Sequence, residues 1–348
     1  MPEQNLPIPR PRQGLLPSSL EQAGQAANQA AARHRFSDYR ARRAAETIRR
    51  QDADLALFAE FLYAVGVQSP GLNFDPYSWQ GITWGLVEGF CKWQLKEGYA
   101  VTSVNVRLST IKTYARLAFQ AGVVSPEEFS LIRSVQGYNR REMRRIDSQR
   151  PVQRVGLKKE SPVVITPEEA IRLKNQSLDT PQGCRDALLL CLLLDHGLRV
   201  GEVAALKMEN LDNSGGLLRF YRPKVGKTQA HRLSRDTIRA ATAYLAHTSD
   251  LSGKAPLLLR SLKNGQVTNR GMSERAINLR VNQLGKGIGI FGLSPHDCRH
   301  YWATIAARSG TDPFSLQEAG GWSSLAMPRR YVEDSAIANQ GVQLEPKI

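Results

Sequence analysis

The stretch Ala187-Leu-Leu-Leu-Cys-Leu-Leu-Leu-Asp-His-Gly-Leu-Arg-Val-Gly-Glu202 decides how the second half of this chain is read. Its apolar run, Ala187 to Leu194, is bounded by Arg185-Asp186 and Asp195 and falls far short of the ~20 residues needed to cross a membrane. A helix that is apolar all round is one buried in a protein core. Gly197 then ends the apolar helix and Arg199 begins the next element. Glu202 follows three residues on, where it can brace the guanidinium on one helix face. An arginine held in this way presents paired donors to phosphate oxygens. Standing alone, the same pattern is an ordinary ion pair on a helix surface.

The rest of the composition is compatible with a phosphate-binding role. The chain has 348 residues and a formal net charge of +15, with a sequence pI near 9.9. It is long enough for two domains plus extensions, and basic enough to be drawn to a polyanion, most simply nucleic acid. Charge by itself says nothing about sequence readout or catalysis. Cys91, Cys184, Cys191 and Cys298 lack metal-ligand spacing and read as reduced, structural residues. The opening residues have neither the basic head nor the apolar body of a secretory signal, so a cytoplasmic, non-membrane protein is expected.

Breaker residues and charge runs divide the chain. Residues 1–35, rich in Pro, Gln and Ala, read as a flexible extension in which Ser18 to Ala32 tolerates a helix. Residues 36–138 carry helix-spaced apolar positions such as Leu55, Phe58, Phe61 and Leu62, and predict a compact helical domain. One of its helices mixes Asn105, Arg107, Ser109 and Lys112 among apolar positions, a mixture suited to docking on a duplex or simply to a solvated face. Residues 139–160, with Arg140, Arg141, Arg144 and Arg145 leading a dense basic run, predict an extended linker that crosses a phosphate backbone, or else a merely solvated tether. The second domain, 161–335, opens at Thr166-Pro-Glu-Glu, which reads as a capping box. Helices are expected near 167–177, 181–196, 235–247, 271–286, 296–309 and 313–320, with short strands over 215–233 joined at Val225-Gly226. A tail, 336–348, follows. Val332, Ala336 and Ile337 are spaced to pack in a groove.

Four further pieces fall in the second domain. His296-Asp-Cys-Arg299 follows Ser294-Pro295, a helix start, and so sits at an N-terminus that itself favours phosphate. There Arg299 is a second candidate phosphate clamp and His296 a proton carrier, with His300 beside them. Lys224 and Lys227 flank the hairpin turn, where a mobile lysine can protonate a leaving oxygen. Trp322 can donate an indole N–H but cannot act as a base. Tyr331, nine residues later and directly behind Arg329-Arg330, supplies an oxygen nucleophile.

Taken together, Arg-x-x-Glu, a turn lysine, His-x-x-Arg-His and the nine-residue Trp-to-Tyr interval resemble the tyrosine recombinases of the phage integrase family, over about residues 40–335. Each interval is common alone; in this order they are specific. The resemblance implies a mainly α fold with a small β-sheet: a helical, SAM-like core-binding domain and a mixed α/β catalytic domain, closing as a C-shaped clamp on DNA. It also implies a 3′-phosphotyrosine intermediate at Tyr331. In that scheme Arg199, Arg299 and Trp322 hold the nonbridging oxygens, Lys224 or Lys227 protonates the leaving 5′ oxygen, His296 assists proton transfer, and Glu202 and His300 support the site. No metal or cofactor is implied. The implied partners are double-stranded DNA with specific recombination sites, a homotetramer on synapsed DNA joined through the tail, and a DNA-bending accessory protein. The chain departs from the family's usual pattern in carrying Trp322 where most members have His, and Met-Pro-Arg-Arg before Tyr331 where Thr-rich sequence is common. The alternatives are a type IB topoisomerase or telomere resolvase, and a catalytically silent DNA-binding architectural protein.

Overall fold

The computed structural model describes residues 19–149, 162–248, 251–262 and 264–335. The far N-terminal extension, the basic residues after Gln149 and the 336–348 tail therefore lie outside the described residues. The chain divides into two compact units, 1–160 and 161–348.

The first unit is all helical: α1 (Ser19–Arg33), α2 (Arg35–Ala41), α3 (Ala45–Ala64), α4 (Trp84–Lys96), α5 (Val101–Gln120), α6 (Pro126–Ser134) and α7 (Arg140–Ser148). Helix α1 buries no residue. Helices α3 to α6 close on an aromatic-rich core in which Phe58, Trp79, Phe90 and Tyr114 are wholly enclosed. Arg40 ties this core to its N-terminal edge by bonding Asp52 at 2.5 Å and the Tyr114 hydroxyl at 3.3 Å.

Helix α7 corrects the expected extended linker over its first part. Asn139 accepts hydrogen bonds from the backbone N–H groups of Arg141 and Glu142, and Glu142 reaches back to the Asn139 N–H. This reciprocal cap stabilises the first turn. Asp147 then accepts from the Val101 N–H and joins α7 to the start of α5. Charge repulsion among arginines disfavours a helix only weakly when the side chains point into water, so the cap prevails.

The second unit contains α8 (Pro167–Lys174), α9 (Pro181–Leu194), α10 (Val200–Ala204), β1 (Leu211–Asp212), β2 (Leu217–Arg222), β3 (Lys227–Arg232), α11 (Arg235–Leu245), β4 (Leu259–Ser261), β5 (Val267–Gly271), α12 (Glu274–Gly287), α13 (Pro295–Arg308), α14 (Pro313–Gly320) and α15 (Ala326–Ser335). Strands β1, β2 and β3 form an antiparallel sheet in that order, and β4 pairs with β5. The fold is mainly helical with small antiparallel sheets, as expected.

Helix α9 is the spine. Thr180 caps it, Pro181 starts it, and every residue from Cys184 to Leu194 is buried. Helices α8, α11 and α13 pack around it, and each enclosed leucine contributes about 1.5–3 kcal/mol. Even its charged pair is enclosed. Arg185 bonds Asp186, the Leu259 carbonyl and Ser261, while Asp186 also receives Arg280, so α9, β4 and α12 are joined at one point. Removing one member of such a pair is costly because the other charge stays buried.

Around residue 271 the expectation needs correction. The chain remains strand to Gly271, and the helix starts only at Glu274, where Ser273 caps the Ala276 N–H. A five-residue strand with mixed exposure carries little periodic signal, so the longer helix behind it dominates a sequence reading.

Candidate active site

The site is assembled where α9 ends. Gly197 adopts φ +59°, and a Cβ there would run into the Trp302 ring, so only glycine lets the chain turn this closely over α13. Arg199 follows at the N-cap of α10. Its backbone N–H and its Nη1 each donate to Glu202, both at 2.8 Å, and its Nη2 donates to the Gly321 carbonyl at 2.8 Å. The predicted bracing by Glu202 is therefore present in the geometry.

Arg299 comes from α13, whose start is fixed by Asp297. That carboxylate accepts from the Ser294 N–H and hydroxyl and from the Val163 N–H. Arg299 donates to the Gly197 and Gly320 carbonyls, both at 2.5 Å, and lies 4.4 Å from the centre of the Trp322 ring. It is buried. Burial and then the positive charge of Arg199 push its guanidinium far below the usual arginine value, to about 9. A cation under that strain gains from an arriving anion.

Tyr331 projects from α15 into a small apolar cluster with Ala303, Ala307 and Leu316, flanked by Trp302, Trp322 and Met327. Pro328 occupies the first turn of α15, where a helix tolerates proline, so the helix continues unbroken to Tyr331. The Trp322 and Tyr331 rings are 5.9 Å apart. The tyrosine hydroxyl meets His300 Nδ1 at 2.9 Å, and His300 Nε2 meets His296 Nε2 at 3.0 Å. His300, expected only to support the site, thus touches the Tyr331 hydroxyl directly, with His296 one step further out and exposed. One tautomer satisfies the chain: Tyr331 donates to Nδ1 while His300 Nε2–H donates to His296. Burial, followed by the charge of His296, holds the His300 pKa below its ordinary value.

The two turn lysines separate. Lys227 Nζ is paired with both Glu318 carboxylate oxygens at 2.6 and 2.8 Å, which pins the hairpin to α14. Lys224 is exposed in the turn, on the wall of a cavity of about 750 Å³ that Trp322, Gly321 and Phe314 also line.

Three contributors escaped the sequence reading. Arg222 is fully buried and bonds Glu202 and the Ala319 and Gly320 carbonyls; Gln229 bonds the Glu318 backbone carbonyl; Glu318 holds Lys227. A signal for Arg222 existed. In β2 the buried positions alternate through Leu218, Phe220 and Arg222, which places an arginine on the inward face.

The first unit is less simple. Arg107 turns inward to Gln94 at 3.0 Å and stacks 4.2 Å from the Tyr99 ring centre, and Lys112 donates to the Arg133 and Val135 carbonyls at the end of α6. Both spend their charge holding helices together. Arg140, Arg141, Arg144 and Arg145 are exposed on α7.

In the second unit a tyrosine hydroxyl, two guanidiniums and an indole are gathered on one side, with a histidine pair behind the hydroxyl. The model of the Phage integrase family matches residues 163–336. A tyrosine recombinase XerC of Xanthomonas campestris pv. campestris (strain B100) is 33% identical over 171 residues, covering 49% of this chain and 51% of that protein. Another XerC, from Thermodesulfovibrio yellowstonii, is 27% identical over 250 residues, covering 71% of this chain and 76% of that one. The chain thus spans about half the length of the Xanthomonas relative it matches. Among solved structures, a lambda integrase (75–356) dimer bound to a COC′ core site aligns with TM-score 0.59 at 16% identity, covering 92% of this chain and 98% of that chain. A Tn1549 transposon integrase in complex with transposon right end DNA aligns at 0.58 and 15%, covering 87% and 96%. The fold is shared with both integrases, and the family match coincides with the domain that holds the tyrosine, the guanidiniums and the histidine pair: the chain belongs to the phage integrase family.

Proposed function

We propose that this protein is a site-specific DNA recombinase that cuts and rejoins DNA through a covalent 3′-phosphotyrosine at Tyr331. The observation that carries the reading is the clustering of Tyr331, hydrogen-bonded to His300, against the Trp322 ring on which Arg299 is stacked, with Arg299 and Arg199 bonded to successive glycine carbonyls at the end of α14. Tyr331 Oη attacks the scissile phosphorus and passes its proton to His300 Nδ1, which His296 relays outward. The bond from phosphorus to the 5′ oxygen breaks, and Lys224 protonates that oxygen. Arg199, Arg299 and the Trp322 N–H hold the nonbridging oxygens as charge builds on them. Rejoining reverses these steps with another 5′ hydroxyl.

In the same reading the substrate is double-stranded DNA carrying specific recombination sites, met in the cytoplasm. The four exposed arginines of α7 serve as phosphate contacts. A homotetramer forms on synapsed DNA, with the tail after Ser335 linking protomers and an accessory protein bending the DNA. Resemblance to XerC and integrase proteins supports recombination over simple relaxation of DNA.

The direct test is adduct formation on nicked suicide DNA. Wild-type protein is expected to become covalently joined to the 3′ end, whereas Tyr331→Phe binds DNA and gives no adduct. An adduct with the Phe variant would move the nucleophile elsewhere.

For the two lysines, the pairing of Lys227 with Glu318 favours Lys224 as the acid. Lys224→Ala is expected to cleave ordinary DNA slowly and to recover on a substrate with a 5′-bridging sulfur, whose thiolate leaves without a proton. Recovery by Lys227→Ala instead would exchange the roles.

The histidine relay predicts a pH profile. Because the His300 pKa lies below the ordinary 6.5, its neutral, proton-accepting form persists as pH falls through that value. Single-turnover adduct formation should hold down to about pH 6.5 and fall only at lower pH. An acid limb centred above 6.5 would assign the base to another group.

A further inference from the structure

Arg222, the last residue of β2, is 0% exposed. Its Nη1 donates to both Glu202 oxygens at 3.1 and 3.0 Å and to the Gly320 carbonyl at 3.1 Å, and its Nη2 donates to the Ala319 carbonyl at 2.7 Å. Its Nε donates to Gln229 Oε1. Gly321 has φ +57°, and a Cβ there would strike the Arg222 side chain, so the glycine before Trp322 is shaped around this arginine. A group so enclosed does not touch a DNA phosphate.

Glu202 has no shortage of partners without it, because Arg199 already gives that carboxylate two hydrogen bonds. An enclosed second arginine costs desolvation that a packed apolar side chain would not. What Arg222 adds is charge. Among the described residues that hydrogen-bond within this network, Arg199, Arg222 and Arg299 stand against the Glu202 carboxylate, three positive charges to one negative. Around Arg222 itself, Lys227 and Glu318 neutralise each other, and His231 is held uncharged by burial and then by Arg222, with its pKa lowered to about 4; near Tyr331, Asp297 and Arg330 carry opposite charges. A phosphodiester carries one negative charge, and a five-coordinate phosphorus on the way to cleavage gathers a second on its nonbridging oxygens.

We propose that Arg222 is a positioning residue of the cleavage reaction: by taking up the Glu202 carboxylate and the last carbonyls of α14, it leaves Arg199 and Arg299 with a net charge matched to the doubly negative transition state. The inference rests on the phosphodiester-cleavage reading above, and its experiment separates the two.

The measurement is the single-turnover rate of adduct formation on nicked suicide DNA at saturating protein, with DNA affinity and thermal unfolding measured alongside. Failure of the wild-type protein to form an adduct would overturn the reading of the site, and this inference with it. With wild-type adduct in hand, Arg222→Gln is expected to bind DNA as the wild type does and to cleave roughly 10- to 100-fold more slowly. Adding Glu202→Gln removes one charge of the opposite sign and restores the excess, so the double variant should cleave faster than Arg222→Gln alone. A purely structural role also allows recovery in the double variant, because removing one member of a buried pair strands the other charge, but that recovery follows thermal stability, whereas charge matching restores the rate at equal stability and DNA affinity. Wild-type speed in Arg222→Gln, or a double variant slower than the single, overturns the proposal. If Arg222→Gln does not fold, the double variant decides alone. Cleavage within about tenfold of wild type supports the proposal, and a folded, DNA-binding double variant that gives no adduct overturns it.

Discussion

The end of α14 is the point on which the second unit depends. Its last carbonyls and that of the following glycine, Ala319, Gly320 and Gly321, are each met by a guanidinium: Arg222 on the first two, Arg299 also on Gly320, Arg199 on Gly321. A helix C-terminus carries partial negative charge and leaves carbonyls without intrahelical partners, so it can host cations that would otherwise repel one another in a buried space. Each arginine arrives on a different element: Arg199 before α10, Arg222 on β2, Arg299 on α13. The helix end thus gathers separate parts of the chain into one cluster, and Glu202 offsets only part of their charge.

In the proposed reaction that residual charge is what the fold contributes to phosphate binding. Carbonyl dipoles hold the guanidiniums in place but do not discharge them, and burial keeps water from doing so. Gly320 and Gly321 lead directly into Trp322, so the contacts that anchor the arginines also orient the indole against Arg299 and Tyr331. Lys227, through Glu318, ties the hairpin bearing Lys224 to the same helix. In the proposed reaction, the histidine pair behind the tyrosine hydroxyl gives its proton a route away from the cations.

Much of this was legible in the sequence because the groups sit at element ends, where local rules are strong. The apolar run of α9 showed a buried spine, Ser294-Pro295 marked the start of α13, and Arg199 and Glu202 were three residues apart on a common face. What escaped depends on contacts far apart in sequence. Arg222 pairs with Glu202 and with carbonyls nearly a hundred residues later, and no local pattern announces such a partner. The sequence reading assigns proton transfer to His296 and leaves His300 in support; the turn of α13 that faces α15 instead sets His300 against Tyr331, with His296 behind it. In the first unit, Arg107 and Lys112 looked like surface cations, yet neighbouring carbonyls, Gln94 and Tyr99 claim them. The basic run after Tyr138 begins as a helix because Asn139 and Glu142 cap it, a signal masked by the arginines between them.

If the proposed function holds, the guanidiniums at the end of α14 receive a phosphate in line with Tyr331. This is tested most directly by a crystal structure of the protein on uncleaved DNA. A scissile phosphate is expected with its nonbridging oxygens within hydrogen-bond distance of Arg199, Arg299 and the Trp322 N–H, and with Tyr331 Oη placed opposite the 5′ oxygen. A phosphate bound elsewhere, with the arginines engaged only with the α14 carbonyls and Glu202, would contradict it.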